Sequence, residues 1–398
     1  MGVPQGKVSI PRKVAAEECK LLDSPRTVAS YGKVRDVLAV IADTLPAVAE
    51  GPAFAKACAE LDRLATKLTQ DRYRIGFIGI SQGGKSTTAG YVVGAKGDAD
   101  NPAPPGGGGK AATAIATRIM PVKDKHPKCP PSEDHYVELV YLTRDQLRDR
   151  VRQIFDILEI EQSPDHSPQA WLEQCRQHAL ANPKEREKEP DREVAIRLLE
   201  AALANPDAVQ STPVVEPGSF DLEFRKKCLL HPKAGEPVSR HALLREMRIW
   251  YRTDKAPESL ELIDLPGLGV KRKSDETLTV DFLPELNGAF LFYEQQQLES
   301  ESAATLTGKM RREYGDTIGG RIWVVITKCD LFEERGQQRN LSDPNGKFKT
   351  ITDETRKSGL AVGNVVLVAN PIYQAISGGK TPAEAWASVE TLWKPEFK

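Results

Sequence analysis

Between residues 33 and 69 apolar side chains recur at helical spacing in two blocks. Val34, Val37, Leu38, Ile41 and Leu45 share one stripe, and Phe54, Cys58, Leu61, Ala65 and Leu68 share another, with Gly51-Pro52 between them. The pattern predicts a helical hairpin within an N-terminal segment, 1–70. The period then changes. RIGFIGI (74–80) is an apolar run of strand length that feeds a Gly-rich turn, as expected of a buried strand in an α/β sheet. ELIDLPG (261–267), GAFLFY (288–293), RIWVVITKCD (321–330) and NVVLVAN (364–370) repeat that signature between helical stretches, which predicts parallel strands joined by crossover helices.

Three further runs, TAIATRIMPV (113–122), HYVELVYL (135–142) and MRIWYRT (247–253), read as antiparallel additions at one sheet edge. Residues 144 to about 245 break the rhythm. Thr143 and Gln146 form a capping-box pattern ahead of the stripe Leu147, Val151, Ile154 and Leu158. Helices are expected again at 168–181 and at 191–205, where Val194, Leu198 and Leu199 pack together. This is a helical insertion within a second unit, 71–398, and the charge run KEREKEPDRE (184–193) reads as its solvated face. One more helix fits at 382–393. The class is α/β with a mainly parallel central sheet.

Composition narrows the partners. Lys plus Arg total 55 and Asp plus Glu 56, so no global charge excess recruits nucleic acid or an anionic membrane. Nowhere do enough apolar residues run together to span a bilayer. Six scattered cysteines, Cys19, Cys58, Cys129, Cys175, Cys228 and Cys329, form no disulfide framework, which leads to the expectation of a cytoplasmic protein. Two Cys-x-x-His pairs, Cys175/His178 and Cys228/His231, have the residue types of a zinc site but lack its short knuckles. Trp171, Cys175, His178 and Ala179 instead share a helical stripe, where Cys is a small hydrophobe.

The chemistry sits at strand ends. Gly79-Ile80-Ser81-Gln82-Gly83-Gly84-Lys85-Ser86 fits G-x-x-x-x-G-K-[ST] between a predicted strand and a predicted helix. Backbone amides of such a loop cradle phosphates at the positive end of the next helix, Lys85 reaches the outer phosphates, and Ser86 ligates Mg²⁺. The Lys85 stem is expected at a solvent-facing ligand site. Asp264-Leu265-Pro266-Gly267 gives D-x-x-G, in which the carboxylate holds Mg²⁺ through water and the Gly267 amide senses a γ-phosphate. Thr327-Lys328-Cys329-Asp330 matches [NT]-K-x-D, whose carboxylate accepts from the N1–H and amine of guanine, a donor pair that adenine lacks.

These motifs in this order, behind a helix running into DRYRIGFIGISQGGKST, resemble the dynamin-like GTPases over residues 33 to about 395. GISQGGKST, PPGGGGKAATAIATR and LIDLPGLG resemble most the bacterial SrfC-type virulence factors. The resemblance implies a Ras-like P-loop GTPase domain that binds GTP or GDP with Mg²⁺, hydrolyses GTP slowly, and pairs with a second copy in a nucleotide-dependent way. It also implies an effector protein of unspecified identity. Thr87 joins the nucleotide-binding set beside Ser86. A switch threonine ligating Mg²⁺ is expected at Thr113, after Gly106 to Gly109 and Lys110; Thr117 is the alternative, inside a strand on the face of Ile115 and Ile119.

Two departures stand out. Ser81 occupies the loop position where dynamins carry Gln, with Gln82 one place later, and Leu268 follows Gly267 where Ras-like enzymes use Gln to orient water. The catalytic set is accordingly Lys85, Thr113 and Gln82. No long stalk of the kind dynamin-like proteins use on membranes fits after Asn370, so a membrane role would depend on other regions. A GTP-binding scaffold with little hydrolysis and a P-loop ATPase with an accidental T-K-x-D remain the alternatives.

Overall fold

The computed structural model describes residues 10–15, 18, 25–79, 84–97, 99–103, 115–161, 167–181, 188–229, 237–267, 273–294, 322–327, 333–334, 337–338 and 365–367. Helices α1 (Pro25–Thr44), α2 (Pro46–Ala49) and α3 (Pro52–Leu68) form the N-terminal helical segment. The α3 stripe is buried from Phe54 to Leu68. The α1 stripe is not: Leu38 is buried with Tyr31, whereas Val34, Val37 and Leu45 are all more than half exposed. Periodicity defines an apolar face. How much of it is covered depends on partners, and here one narrow seam meets α3.

Among the described residues, nine strands form one sheet in the order β11-β8-β7-β1-β6-β2-β5-β3-β4. Strands β1 (Tyr73–Gly79), β6 (Leu260–Asp264), β7 (Gly288–Glu294), β8 (Ile322–Thr327) and β11 (Val365–Leu367) are mutually parallel, as the apolar runs predicted. The other half differs from expectation. β2 (Ala116–Val122) is antiparallel to β6 but parallel to β5 (Leu244–Arg252), and only β3 (Tyr136–Tyr141) opposes β5. A further strand, β4 (Val215–Pro217), emerges inside the stretch read as helical and pairs with β3. Pairing direction follows from the route of the connecting chain, which local alternation does not encode. The two-residue strands β9 (Glu333–Glu334) and β10 (Gln337–Gln338) pair separately.

Helix α4 (Lys85–Val92) follows β1. Between β3 and β5 come α5 (Arg144–Leu158), α6 (Pro168–Ala181), α7 (Glu189–Ala204) and α8 (Leu222–Leu229), and α9 (Lys273–Phe282) follows β6. The capping box forms: the Thr143 hydroxyl accepts from the Gln146 amide at 3.2 Å and the Gln146 side chain accepts from the Thr143 amide at 3.0 Å. Val151, Ile154, Phe155 and Leu198 then join Ile119, Val137 and Met247 in one core. Cys175 and Cys228 lie in that core, where burial pushes each thiol up to about 12. His231 lies outside the described residues. The charge run is corrected in part: Asp191 and Arg192 are 2% and 7% exposed, not solvated, whereas Glu189 is exposed and 184–187 lie outside the described residues. The helix expected at 382–393 lies outside the described residues.

Successive residues of β2 face opposite sides of the sheet. On one side Arg118 is ion-paired to Glu246 (2.7 Å), to Glu261 (2.6 Å) and to Glu285, three carboxylates drawn from β5, β6 and the turn after α9. On the other side Thr117 stands in register with Asp264.

Candidate nucleotide site

The parallel strands β1, β6 and β8 all end at the same edge of the sheet, the position where open α/β sheets bind ligands. Gly79 closes β1. A Cβ there would sit 2.2 Å from the Phe292 carbonyl oxygen, with φ at +156°, so only glycine lets β7 approach this closely. Gly84 caps α4 in the left-handed region (φ 74°), which delivers Lys85 and Ser86 into the first helical turn.

Lys85 is 7% exposed, and this corrects the expectation of a solvent-facing stem. Its Nζ donates to the Gly79 carbonyl at 3.2 Å, curling back over the turn. Burial lowers its pKa, and Asp264 opposes that shift. The Ser86 hydroxyl donates to Asp264 Oδ2 at 2.7 Å, joining two motifs that the chain separates by 178 residues. Asp264 is 1% exposed and its Oδ1 has no hydrogen-bond partner among the described residues. Burial pushes its carboxyl up to about 6, against the pull of Lys85 and the Ser86 hydrogen bond.

A buried carboxylate oxygen without a partner beside a serine hydroxyl fits a hard cation, which takes oxygen donors. Thr117 adds to this. It is fully buried, it pairs in register with Asp264, and its hydroxyl also lacks a partner among the described residues. The alternative threonine is therefore the one adjacent to the carboxylate, while Thr113 lies outside the described residues. Thr87 is half-buried in the first turn of α4. Pro266, between Asp264 and Gly267, accepts from the Thr279 hydroxyl of α9 at 3.1 Å. Thr327 is buried at the end of β8. Ser81, Gln82, Gly83, Leu268, Lys328, Cys329 and Asp330 lie outside the described residues.

Two side chains that the sequence did not single out hold this edge. The Asn101 amide donates to the Ser86 carbonyl at 3.2 Å, and Arg225 of α8 donates to the Asn101 and Ala99 carbonyls. Neither belongs to a motif. A buried Arg reaching backbone carbonyls 124 and 126 residues away leaves no local signal.

No family model and no curated protein sequence matches the chain. Two solved structures from work on an oligomerised bacterial dynamin pair, described as a mechanism for long-range sensing and tethering of membranes, are similar. One has 13% identity and a TM-score of 0.48 over 94% of this chain; the other has 10% and 0.44 over 96%. The chain spans about half the length of those structures, 52% in each case.

Proposed function

We propose that the chain binds a guanine nucleotide with Mg²⁺ at the end of β1 and hydrolyses GTP, acting as a dynamin-like molecular switch. The observation that carries this reading is the Ser86–Asp264 hydrogen bond, with Lys85 buried beside it and one Asp264 oxygen left without a partner among the described residues. Ser86 and Asp264 would hold Mg²⁺, Ser86 directly and Asp264 through water. When bound, the ion neutralises charge on the phosphate oxygens. Lys85 leaves the Gly79 carbonyl for phosphate, and loop amides from Ser81 to Gly84 bind the remaining oxygens. Thr327, Lys328 and Asp330 would read guanine from the end of β8. Residues 71–398 form the G domain in this reading, with 1–70 as its N-terminal helical segment and 144–245 as its helical insertion.

Catalytic groups beyond Lys85 are assigned to Thr113 and Gln82, because Leu268 cannot orient water. That same leucine favours a second reading, tight GTP binding with little hydrolysis. Single-turnover assays with GTP and ATP in Mg²⁺ separate the two. Hydrolysis of GTP that falls more than about tenfold in Thr113→Ala supports the switch reading. GTP binding without turnover at any protein concentration supports the scaffold, and turnover of ATP alone overturns both.

A further inference from the structure

Within the charge run one carboxylate has a defined task. Asp191, in the first turn of α7, accepts from the Lys273 amide at 3.1 Å through Oδ2 and from the Ser274 amide at 2.9 Å through Oδ1. These are the first two amides of α9. Such amides have no partner inside their own helix, and a carboxylate placed there also meets the positive end of the helix dipole. Caps usually come from the residue just before the helix. This one comes from 82 residues upstream, in α7.

The rest of α9 is seated by polar contacts too. Ser274, Asp275 and Thr279 are each at most 1% exposed. Arg150 of α5 is desolvated among the opposing charges of Asp275, Asp281 and Asp191, and Gln153 of α5 hydrogen-bonds Asp281. Further along α9, the Thr279 hydroxyl donates to the Pro266 carbonyl inside D-x-P-G. A helix held by directional buried bonds has one seat, whereas an apolar face can slide. A chain of contacts thus runs from α7, through α9, to the turn that carries Asp264 and Gly267.

We propose that Asp191 is a positioning residue for the nucleotide site: by capping α9 it fixes the point from which Thr279 holds the D-x-P-G turn, and so couples helices α5 and α7 to the nucleotide state. The inference rests on the GTPase reading above. Coupling of this kind is reciprocal, so replacing GDP by a GTP analogue must alter α7 even though α7 supplies no ligand.

The test combines three full-length variants with the parent. In nucleotide-free Asp191→Ala, amide exchange at the start of α9 rises about tenfold or more, because the two capped amides lose their acceptor. In the same variant single-turnover GTP hydrolysis falls about fivefold or more while GDP affinity stays within about twofold. Asp191→Asn keeps one acceptor and falls between Ala and the parent. Arg176→Ala, which removes the exposed Arg176–Glu200 pair linking α6 to α7, matches the parent. If Asp191→Ala does not fold, the parent alone decides: exchange in 189–204 and 273–282 differs between its GDP and GTP-analogue states. Unchanged α9 exchange in the Ala variant, faster exchange with parental hydrolysis and affinities, or identical parental exchange in both states overturns the proposal. A parent that binds no guanine nucleotide overturns the GTPase reading itself, whatever α9 exchange shows.

Discussion

Two buried carboxylates flank strand β2, and their surroundings drive them in opposite directions. Asp264 and Glu246 are 1% and 0% exposed, so burial penalises both charges. Around Glu246 that penalty is overcome: Arg118 at 2.7 Å and Arg248 at 2.6 Å, with Arg245 nearby, hold its carboxyl below the usual range. Around Asp264 burial prevails, and the carboxyl rises to about 6 against Lys85 and one hydroxyl. Arg118 shows the same closure from the cation's side: burial pushes its pKa down, and Glu246, Glu285 and Glu261 more than reverse that. One cluster is complete as it stands. The other carries a strained charge and, among the described residues, an oxygen without a partner, the difference expected between a ligand site and a structural ion pair.

The largest effect expected from this contrast lies in the closed cluster. Arg118→Met removes the buried cation that three carboxylates share and leaves them to the part-exposed Arg74, Arg245 and Arg248, so urea denaturation should show a loss of about 3 to 5 kcal/mol. A loss under about 1 kcal/mol would mean that the cluster is not closed after all. Lys85→Met sharpens the other side. Removing a cation that is itself penalised by burial should leave ligand-free stability within about 1 kcal/mol, because Asp264 can neutralise by taking a proton. Titration of the same variant with GTP should show at least about a hundredfold weaker binding, near 3 kcal/mol. Parental affinity would remove Lys85 from the site.

Acidification gives a smaller effect of opposite sign at the two carboxyls. Asp264 binds its proton more tightly folded, at about 6, than unfolded, near 3.9, so its contribution to ligand-free stability rises as pH falls through that window. Glu246 behaves in reverse: its contribution is intact above the ordinary Glu range and is lost only at lower pH, as the folded carboxyl takes its proton. Denaturation of the parent and Asp264→Asn at about pH 7 and about pH 5 isolates the first term. The parent should gain relative to the variant on acidification. An unchanged difference would show that Asp264 is not strained.

The junction at 79–86 was legible because the motif lies in eight contiguous residues where β1 ends and α4 begins, and the five parallel strands were legible as apolar runs. The Asp264 turn was readable as a motif, but the strain on its carboxylate was not, because it depends on the burial of Asp264 itself, which Lys85 and Ser86 only partly offset. Sequence reading failed where partners are remote. Arg118 meets carboxylates 128, 143 and 167 residues away, and Asp191 in a charged run looked like any solvated acid until α9 folded onto it. The parallel β2–β5 pairing and strand β4 were missed for the same reason, since direction and edge pairing come from the path of the whole chain. Thr117 illustrates the intermediate case. Its place within a buried strand was readable, but its register opposite Asp264 was not.

The central claim is that the open cluster at Asp264, Ser86 and Lys85 serves a guanine nucleotide. Titration calorimetry of the nucleotide-free chain with GTP, GDP and ATP in Mg²⁺, repeated with Mg²⁺ chelated, tests it most directly. The account predicts saturable binding of GTP and GDP, ATP weaker by about a hundredfold or more, and a loss of GTP affinity when Mg²⁺ is removed. Equal affinity for ATP and GTP, or GTP binding indifferent to Mg²⁺, would contradict it.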